Sequence, residues 1–553
     1  MIIKFEQSPE EYFRLSRSAF GQGAFDRALL YGERALRGKN SAEHKLSLAE
    51  ILLAMGRYPE AADYALETLC FHRGLRTETY DLLARVSSEL GQFFETLQYI
   101  AKKAQYEGDE ETLDEMDEVM REFEGSGERS DGRDLYLVGE KKKPDDGAFL
   151  MRANFALGRG EYDDALVFAS EVEKDSPNYI DSRVICVRAY MKKKESALAL
   201  ETAEEIAKLD PKNAYALYLL IDKFKKKEYI PLLSEVEGDA GALYYAILAA
   251  ENAEEHAIAD RLADKLLAAK PYEATEHFIA AAVALNGGNK AKSEDLLKGL
   301  FELYPNYPAK LILKGWRRLR KCEVAFEGAL PDKVLAFLRN YVIKHAADER
   351  EFVHAMLTDE TFRRSVELLC SEGDRVGTHW IVRSFGASND RQVDDFFAKL
   401  LTRYSLDLLL KRAILAELLF HRDKGRLFIV SSITPKQVSC VKPPRYAAYS
   451  EDLRVAFVNL YSFASVLAAD GAAKRVIELA ERAQSLEGIE KEASEVIGTA
   501  FLYRMIEEGL VPSPPEYRES ADICRFISSF VFGIYAPPMT RALRLAKRLE
   551  ESL

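Results

Sequence analysis

The run FHRDKGR, Phe420 to Arg426, holds a histidine, an arginine and an aspartate in the order that phosphoryl-transfer chemistry uses. In such sites the aspartate orients a hydroxyl nucleophile and an asparagine five positions on holds magnesium. Five positions beyond Asp423 stands Phe428, and no glycine-rich phosphate loop or Asp-Phe-Gly run accompanies it. The cluster reads instead as the polar end of a helix. LGRGEYDD, around Gly158, opens Gly-x-Gly like a nucleotide-binding turn but lacks the third glycine and a preceding strand. Cys70 and His72 offer two zinc ligands without the remaining pair, and the eight histidines include no His-Glu-x-x-His. No serine or cysteine stands in a nucleophile elbow. The expectation is a protein that is not an enzyme, with no metal and no cofactor.

The elements that would have to position any site are repetitive. GAFDRA, GRYPEA, GQFFET and GEYDDA begin at Gly23, Gly56, Gly91 and Gly160, at intervals of 33, 35 and 69 residues. Pro177 and Pro211 are 34 apart, as are Pro271 and Pro305, while 60 residues separate Pro211 from Pro271. Each unit reads as two helices: an apolar-periodic run, a Gly-x-aromatic turn, a second run rich in small residues, then a proline or asparagine stop. Alanines such as Ala28 and Ala35, Ala61 and Ala65, or Ala165 and Ala169 stand where two helices must approach closely.

These residues resemble the tetratricopeptide repeat (TPR) over residues 9–306, with copies starting near Pro9, Ala42, Arg76, Asp146, Ile180, Ala214, Ala240 and Ala274. Thr96 and Ser293 replace the usual turn alanine. The resemblance implies an all-α fold, an α-α superhelical solenoid of helical hairpins whose first helices line a concave surface. Beyond about residue 320 the period fades, though RRSVELLCSEG and DRVGTHWIVRSFGAS loosely resemble HEAT units. Pro331, Ser388, Ser405 and Ser450 mark helix starts there. RLFIVSSITPKQVSCVKPP, with β-branched runs on each side of Thr434-Pro435, predicts a short β-hairpin near 426–442.

From Glu107 to Glu124 there are ten acidic residues and one basic, with Leu113, Met116, Met120 and Phe123 at helical spacing. The segment reads as an acidic amphipathic helix followed by a flexible loop. The expected organisation is TPR-like repeats 1–3 over residues 1–106, this insertion over 107–147, repeats 4–8 and a following helix over 148–320, and a helical domain over 321–553.

Positions 2, 5, 9 and 12 of each first helix share a face. They nominate Asn154, Arg188, Tyr218, Lys225 and Tyr244, with Lys192 beside them, as a groove of aromatic and basic groups suited to a peptide with apolar and acidic side chains. Some TPR proteins grip a terminal carboxylate through lysine and asparagine; the matching residues of the first copy here are Phe13, Arg14 and Arg17. A second candidate is KLILKGWRRLRK, Lys310 to Lys321, six of whose residues are basic and none acidic. It places Lys310, Lys314, Arg317, Arg318 and Lys321 on one helical face and Ile312, Trp316 and Leu319 on another.

A net charge of −13 argues against a nucleic-acid surface spread over the molecule. Six scattered cysteines without a close pair fit reduced thiols. The opening MIIKFEQSPEEYF has no apolar leader, and the most apolar stretches fall short of the roughly 18–20 residues that span a bilayer. The expectation is a cytoplasmic scaffold or adaptor that binds a protein or peptide partner on its concave TPR surface. The alternatives are an enzyme or regulatory module after residue 320, and RNA binding through residues 310–321.

Overall fold

Among the described residues, the chain reverses on one residue with a left-handed backbone in each of eight helical hairpins. The computed structural model describes residues 8–72, 74–110, 112–113, 146–324, 330–388, 390–422, 425–430, 435–439, 442–469, 471–511, 519–532 and 538–551. Most of the acidic run, the loop after it and residues 512–518 thus lie outside the described residues. First helices begin at Pro9, Ala42, Arg76, Asp146, Tyr179, Ala214, Ala240 and Ala274. The turn residues are Gly23, Gly56, Gly91, Gly160, Lys194, Lys225, Glu254 and Gly288, with φ between +57° and +84°. Where glycine holds the turn, the amide after it reaches back to the helix: Arg57 donates to the Leu52 carbonyl at 2.9 Å while Gly56 donates to Leu53 at 3.0 Å. This pair of bonds satisfies the last carbonyls of the first helix.

Lys194 makes the same reversal with a side chain, at φ +64°. A left-handed backbone costs a non-glycine residue roughly 1–2 kcal/mol. Lys194→Gly is therefore expected to raise stability by about 1 kcal/mol. A shift of the urea midpoint to higher concentration with an unchanged slope would show this; an unmoved or lowered midpoint would contradict it.

Small residues sit at the helix crossings. Ala28, Ala35, Ala61, Ala65, Ala165 and Ala199 have no exposed surface. The approach is so close that a serine on either helix hydrogen-bonds across it. Ser16 Oγ donates to the Ala28 carbonyl at 2.7 Å, and Ser293 Oγ donates to the Ala281 carbonyl at 2.7 Å. Ser293 thus reinforces the crossing that an alanine would merely fit. Thr96 instead bonds its own helix, donating to the Gln92 carbonyl at 2.9 Å.

The chain divides into two units, residues 1–108 with 336–553, and residues 109–335. The first holds hairpins one to three and the C-terminal helices. Asp63, buried in helix Tyr58–Phe71, accepts the Tyr404 amide at 2.5 Å and Arg403 Nη1 at 3.2 Å, and Arg403 Nη2 donates to Glu367 at 2.8 Å. Burial pushes the Asp63 carboxyl up to about 6 against the pull of the Arg403 guanidinium. Burial also pushes the Lys411 ammonium down to about 8, where it donates to the Val430 carbonyl. The predicted β-hairpin is present: Arg426–Ile429 pairs antiparallel with Lys436–Ser439, Arg426 opposite Ser439. Its Phe428 meets Phe71 edge-on at 5.4 Å between ring centres.

Ser450 caps helix Glu451–Leu467 as expected, accepting the Leu453 amide at 3.2 Å. Ser388 and Ser405 do not cap. Asp390 and Asp407 displace them, each carboxylate accepting two amides of the first turn, Gln392 with Val393 and Leu409 with Leu410. Among the described residues no helix is long and apolar enough to cross a membrane.

Candidate functional site

The second unit breaks its own regularity at hairpin six. Helix Ala214–Tyr218 runs into a π-turn at Leu219–Lys223, in which the Phe224 amide bonds the Leu219 carbonyl at 3.0 Å. The second limb is a 3₁₀ segment, Lys227–Glu235, that contains Pro231; proline denies the limb an α-helical ladder. This short, rewound hairpin accounts for the 60-residue interval between Pro211 and Pro271. π-turns shift the residues that follow around the helix axis and gather at functional sites. Here Asp222 and Lys223 join Tyr218 in facing helix Ala240–Asn252.

Aromatic rings connect the neighbouring first helices. Tyr215 packs edge-on against Tyr245 at 5.0 Å, Tyr218 lies 5.6 Å from Tyr245, and Tyr244 lies 5.9 Å from Tyr245. The Arg188 guanidinium sits 4.9 Å above the Tyr215 ring.

Farther along, Asn286, the last residue of helix Ala274–Asn286, holds a backbone segment. Its Oδ1 accepts the Cys322 amide at 2.8 Å, and its Nδ2 donates to the Cys322 carbonyl at 2.8 Å. One residue presents both groups to one neighbour as a residue in a β-ladder does, so Cys322 is held by its backbone rather than its side chain. The second Nδ2 hydrogen goes to buried Glu251 Oε2 at 2.6 Å, and Glu251 Oε1 lies 3.1 Å from His256 Nδ1. These contacts fix which face the amide presents. Cys322 is buried, which pushes its thiol up to about 12. Val324, two residues on, packs against the core cluster that contains Leu243, Tyr244 and Ile247.

Between the tyrosines and this segment lies a cavity of about 980 Å³, lined by Tyr218, Asp222, Lys223, Tyr244, Tyr245, Leu248, Glu251, Asn252, Glu254, Asn286 and residues 321–324. That is the upper end of the volume range of small-ligand pockets. Its wall carries Asp222, Glu251, Glu254 and Glu323 against Lys223 and Lys321.

Of the residues nominated from spacing, Tyr218 and Tyr244 line this cavity, although Tyr244 is only 7% exposed and serves the core as much as the wall. Arg188 stands behind the wall on Tyr215. Asn154 and Lys192 are exposed on helices Asp146–Gly158 and Tyr179–Lys193, and neither lines it. Lys225 occupies the left-handed turn, its Nζ 3.6 Å from Asp222 Oδ1. Where an aromatic and basic groove was expected, the cavity is lined by aromatics and by more carboxylates than ammonium groups. Lys192 lies elsewhere, Lys225 meets the wall only at Asp222, which also pairs with Lys223 at 2.7 Å, and Asp222 and Glu251 enter from positions outside those nominated.

The basic face is also redrawn. The helix spans only Ala309–Trp316, so Lys310 and Lys314 are helical while Arg317, Arg318 and Lys321 follow in a turn and an irregular segment. The stop is set at Trp316, whose buried indole Nε1 donates to Ser293 Oγ at 2.9 Å. Arg317 is tied to Glu294 by two bonds, of 3.1 and 2.7 Å, and Lys321 turns into the cavity wall. In hairpin one, Arg14 pairs with Glu11 at 2.7 Å and Arg17 with Glu50 at 2.5 Å. His421 ends helix Leu408–His421, with Nδ1 2.8 Å from Asp394 and Nε2 3.1 Å from the Gly386 carbonyl. Burial opposes its charge, but these acceptors hold its pKa above the ordinary imidazole value. Asp423 lies outside the described residues.

Asn286, Glu251, Tyr245 and Asp222 were not nominated from the sequence. Asn286 stands at position 13 of its repeat, one beyond the positions read as the groove face, and in ALNGGNK it reads as a helix stop.

No family model matches the chain, and no curated protein matches it. Among solved structures it is similar to yeast Tom70 (11% identity, 98% of this chain and 96% of that chain covered, TM-score 0.27). It is also similar to Naa15/Naa10 bound to HypK-THB (12%, 98% and 96%, 0.23) and to the P58(IPK) TPR domain (14%, 56% and 99%, 0.15). The chain's own hairpins, with small residues at the crossings and a left-handed residue at the turns, give it an all-α fold of TPR-like helical repeats, with a helical C-terminal region that carries a short β-hairpin among the described residues.

Proposed function

We propose that this chain is a non-catalytic protein-interaction scaffold that holds an extended segment of a protein partner along the first helices of hairpins six to eight. The observation that carries this reading is the Asn286 amide paired in both directions with the backbone of Cys322. Recognition of that kind takes hold of an extended main chain whatever its side chains, and leaves adjoining pockets to select among them. The adjoining cavity offers tyrosine faces and Leu248 to an apolar or aromatic side chain, and the Glu254 and Glu323 carboxylates to a basic one. The fitting partner segment is therefore apolar and basic rather than acidic.

Selection of a displayed random-peptide library on the full chain tests this. Enriched peptides are expected to share an apolar residue next to a basic one, and to bind the Tyr218→Ala, Tyr245→Ala double variant at least about ten-fold more weakly, a loss within the range for aromatic anchors. Arg317→Glu, outside the cavity, should leave binding unchanged. An absence of enrichment, or peptides that bind the tyrosine variant as tightly as the unaltered chain, would overturn the reading.

A further inference from the structure

Residues 319–324, LRKCEV, leave helix Ala309–Trp316 and reach the same first helices that form the cavity. They cross without regular structure of their own, fixed at Cys322 by Asn286 and at Val324 by the core around Tyr244. Lys321 and Glu323 line the cavity on either side of the held residue. The run just before the clamp is basic, with Arg318, Arg320 and Lys321, and the wall it meets has more carboxylates than ammonium groups. Backbone clamping, an apolar anchor two residues on and complementary charge are the three features that a bound peptide would show. Here the chain itself supplies them.

We infer that residues 319–324 are a built-in occupant of the groove, and that the partner is an extended segment of the same chemistry, basic residues leading into a small one and then a β-branched one, which binds by displacing them. The inference rests on the groove reading above and adds competition to it. The groove's apparent affinity is then set by the fraction of molecules in which the segment has lifted. It also assigns a role to Lys321, the one basic residue of the run that lines the cavity: it complements a wall with more carboxylates than ammonium groups.

The test uses the full chain and a labelled peptide of residues 318–324 with serine in place of Cys322. Cys322→Pro removes the amide that Asn286 Oδ1 accepts. If the segment fills the groove in nine molecules of ten or more, the proline variant should bind the peptide about ten-fold more tightly than the unaltered chain. Asn286→Ala added to it should abolish the gain. A second measurement needs no variant. Saturating peptide should speed thiol labelling of Cys322, resolved by mass spectrometry, about five-fold or more, since displacement opens the one buried thiol on the segment. Cys70, Cys186 and Cys370, buried elsewhere, should not respond. Equal affinity for the two chains, or a bound peptide that leaves Cys322 labelling unchanged, would overturn the inference while leaving a peptide groove in place. Peptide binding to neither chain would overturn both.

Discussion

Arg403→Leu is expected to lower the stability of the unit formed by residues 1–108 and 336–553 by about 3–5 kcal/mol, the usual consequence of leaving a buried charge without its partner. Asp63 is buried and, among the described residues, accepts from two groups, the Arg403 guanidinium and the Tyr404 amide. Leucine removes the first and keeps the volume apolar. The aspartate must then bind a proton or remain ionised beside one amide. Its carboxyl is already pushed up to about 6 by burial. A group that holds its proton more tightly in the folded state contributes fully below the ordinary carboxylate range, and that contribution is lost as pH rises through the folded value. The variant should therefore lose less stability at pH 5 than at pH 7.5. Asp63→Asn added to Arg403→Leu should recover most of the loss, because a neutral amide still accepts the Tyr404 hydrogen bond. Chemical denaturation of the four chains as a double-mutant cycle measures the coupling. A loss below about 1 kcal/mol, or one independent of pH, would mean that water reaches Asp63 and screens it as at a surface.

That contact joins residues 340 positions apart, and no periodicity could announce it. The sequence carries local rules well. Glycine with an aromatic marks a turn because the backbone there must be left-handed, and alanine marks a crossing because the helices nearly touch. Where another residue meets the same demand the mark disappears: Lys194 and Glu254 hold left-handed turns with no glycine to advertise them. Hairpin six was legible only as missing length, since one proline and one π-turn change its geometry without changing its hydrophobicity. The basic run misled for the converse reason. Ile312, Trp316 and Leu319 keep helical spacing to residue 319, yet the backbone leaves the helix at Trp316, where the indole donates to Ser293. Register placed Tyr218 and Tyr244 on the face that lines the cavity, whereas it could not single out Asn286, because its partner is a main chain and main chains leave no trace in residue types.

Trp316 joins the helix that precedes residues 319–324 to the core of hairpin eight. It is 1% exposed, packs against Phe278 at 6.3 Å and donates to a serine that itself donates across the helix crossing to the Ala281 carbonyl. Trp316→Ala removes the ring and should lower the stability of the unit formed by residues 109–335 by about 3–5 kcal/mol, as large aromatic truncations in closed cores do. Trp316→Phe keeps a six-membered ring and loses the rest of the indole together with its N–H, so about 1–3 kcal/mol is expected. Ser293→Ala deletes the acceptor and leaves a buried N–H unpaired, a loss of about 1–3 kcal/mol. The double change Trp316→Phe with Ser293→Ala should then cost less than the sum of the two, since neither side is left with an orphaned group. Urea unfolding of the full chain, with hydrogen exchange followed over residues 274–303, reports these differences where they arise. The buried indole also anchors the end of the helix that residues 317–324 leave, so its removal should loosen Cys322 from Asn286 before the hairpin itself opens. In Trp316→Ala, thiol labelling of Cys322 should accelerate at urea concentrations that leave exchange over residues 274–303 unchanged. Simultaneous onset of the two would mean that the segment and hairpin eight open as one cooperative piece, and that the groove empties only when its wall unfolds.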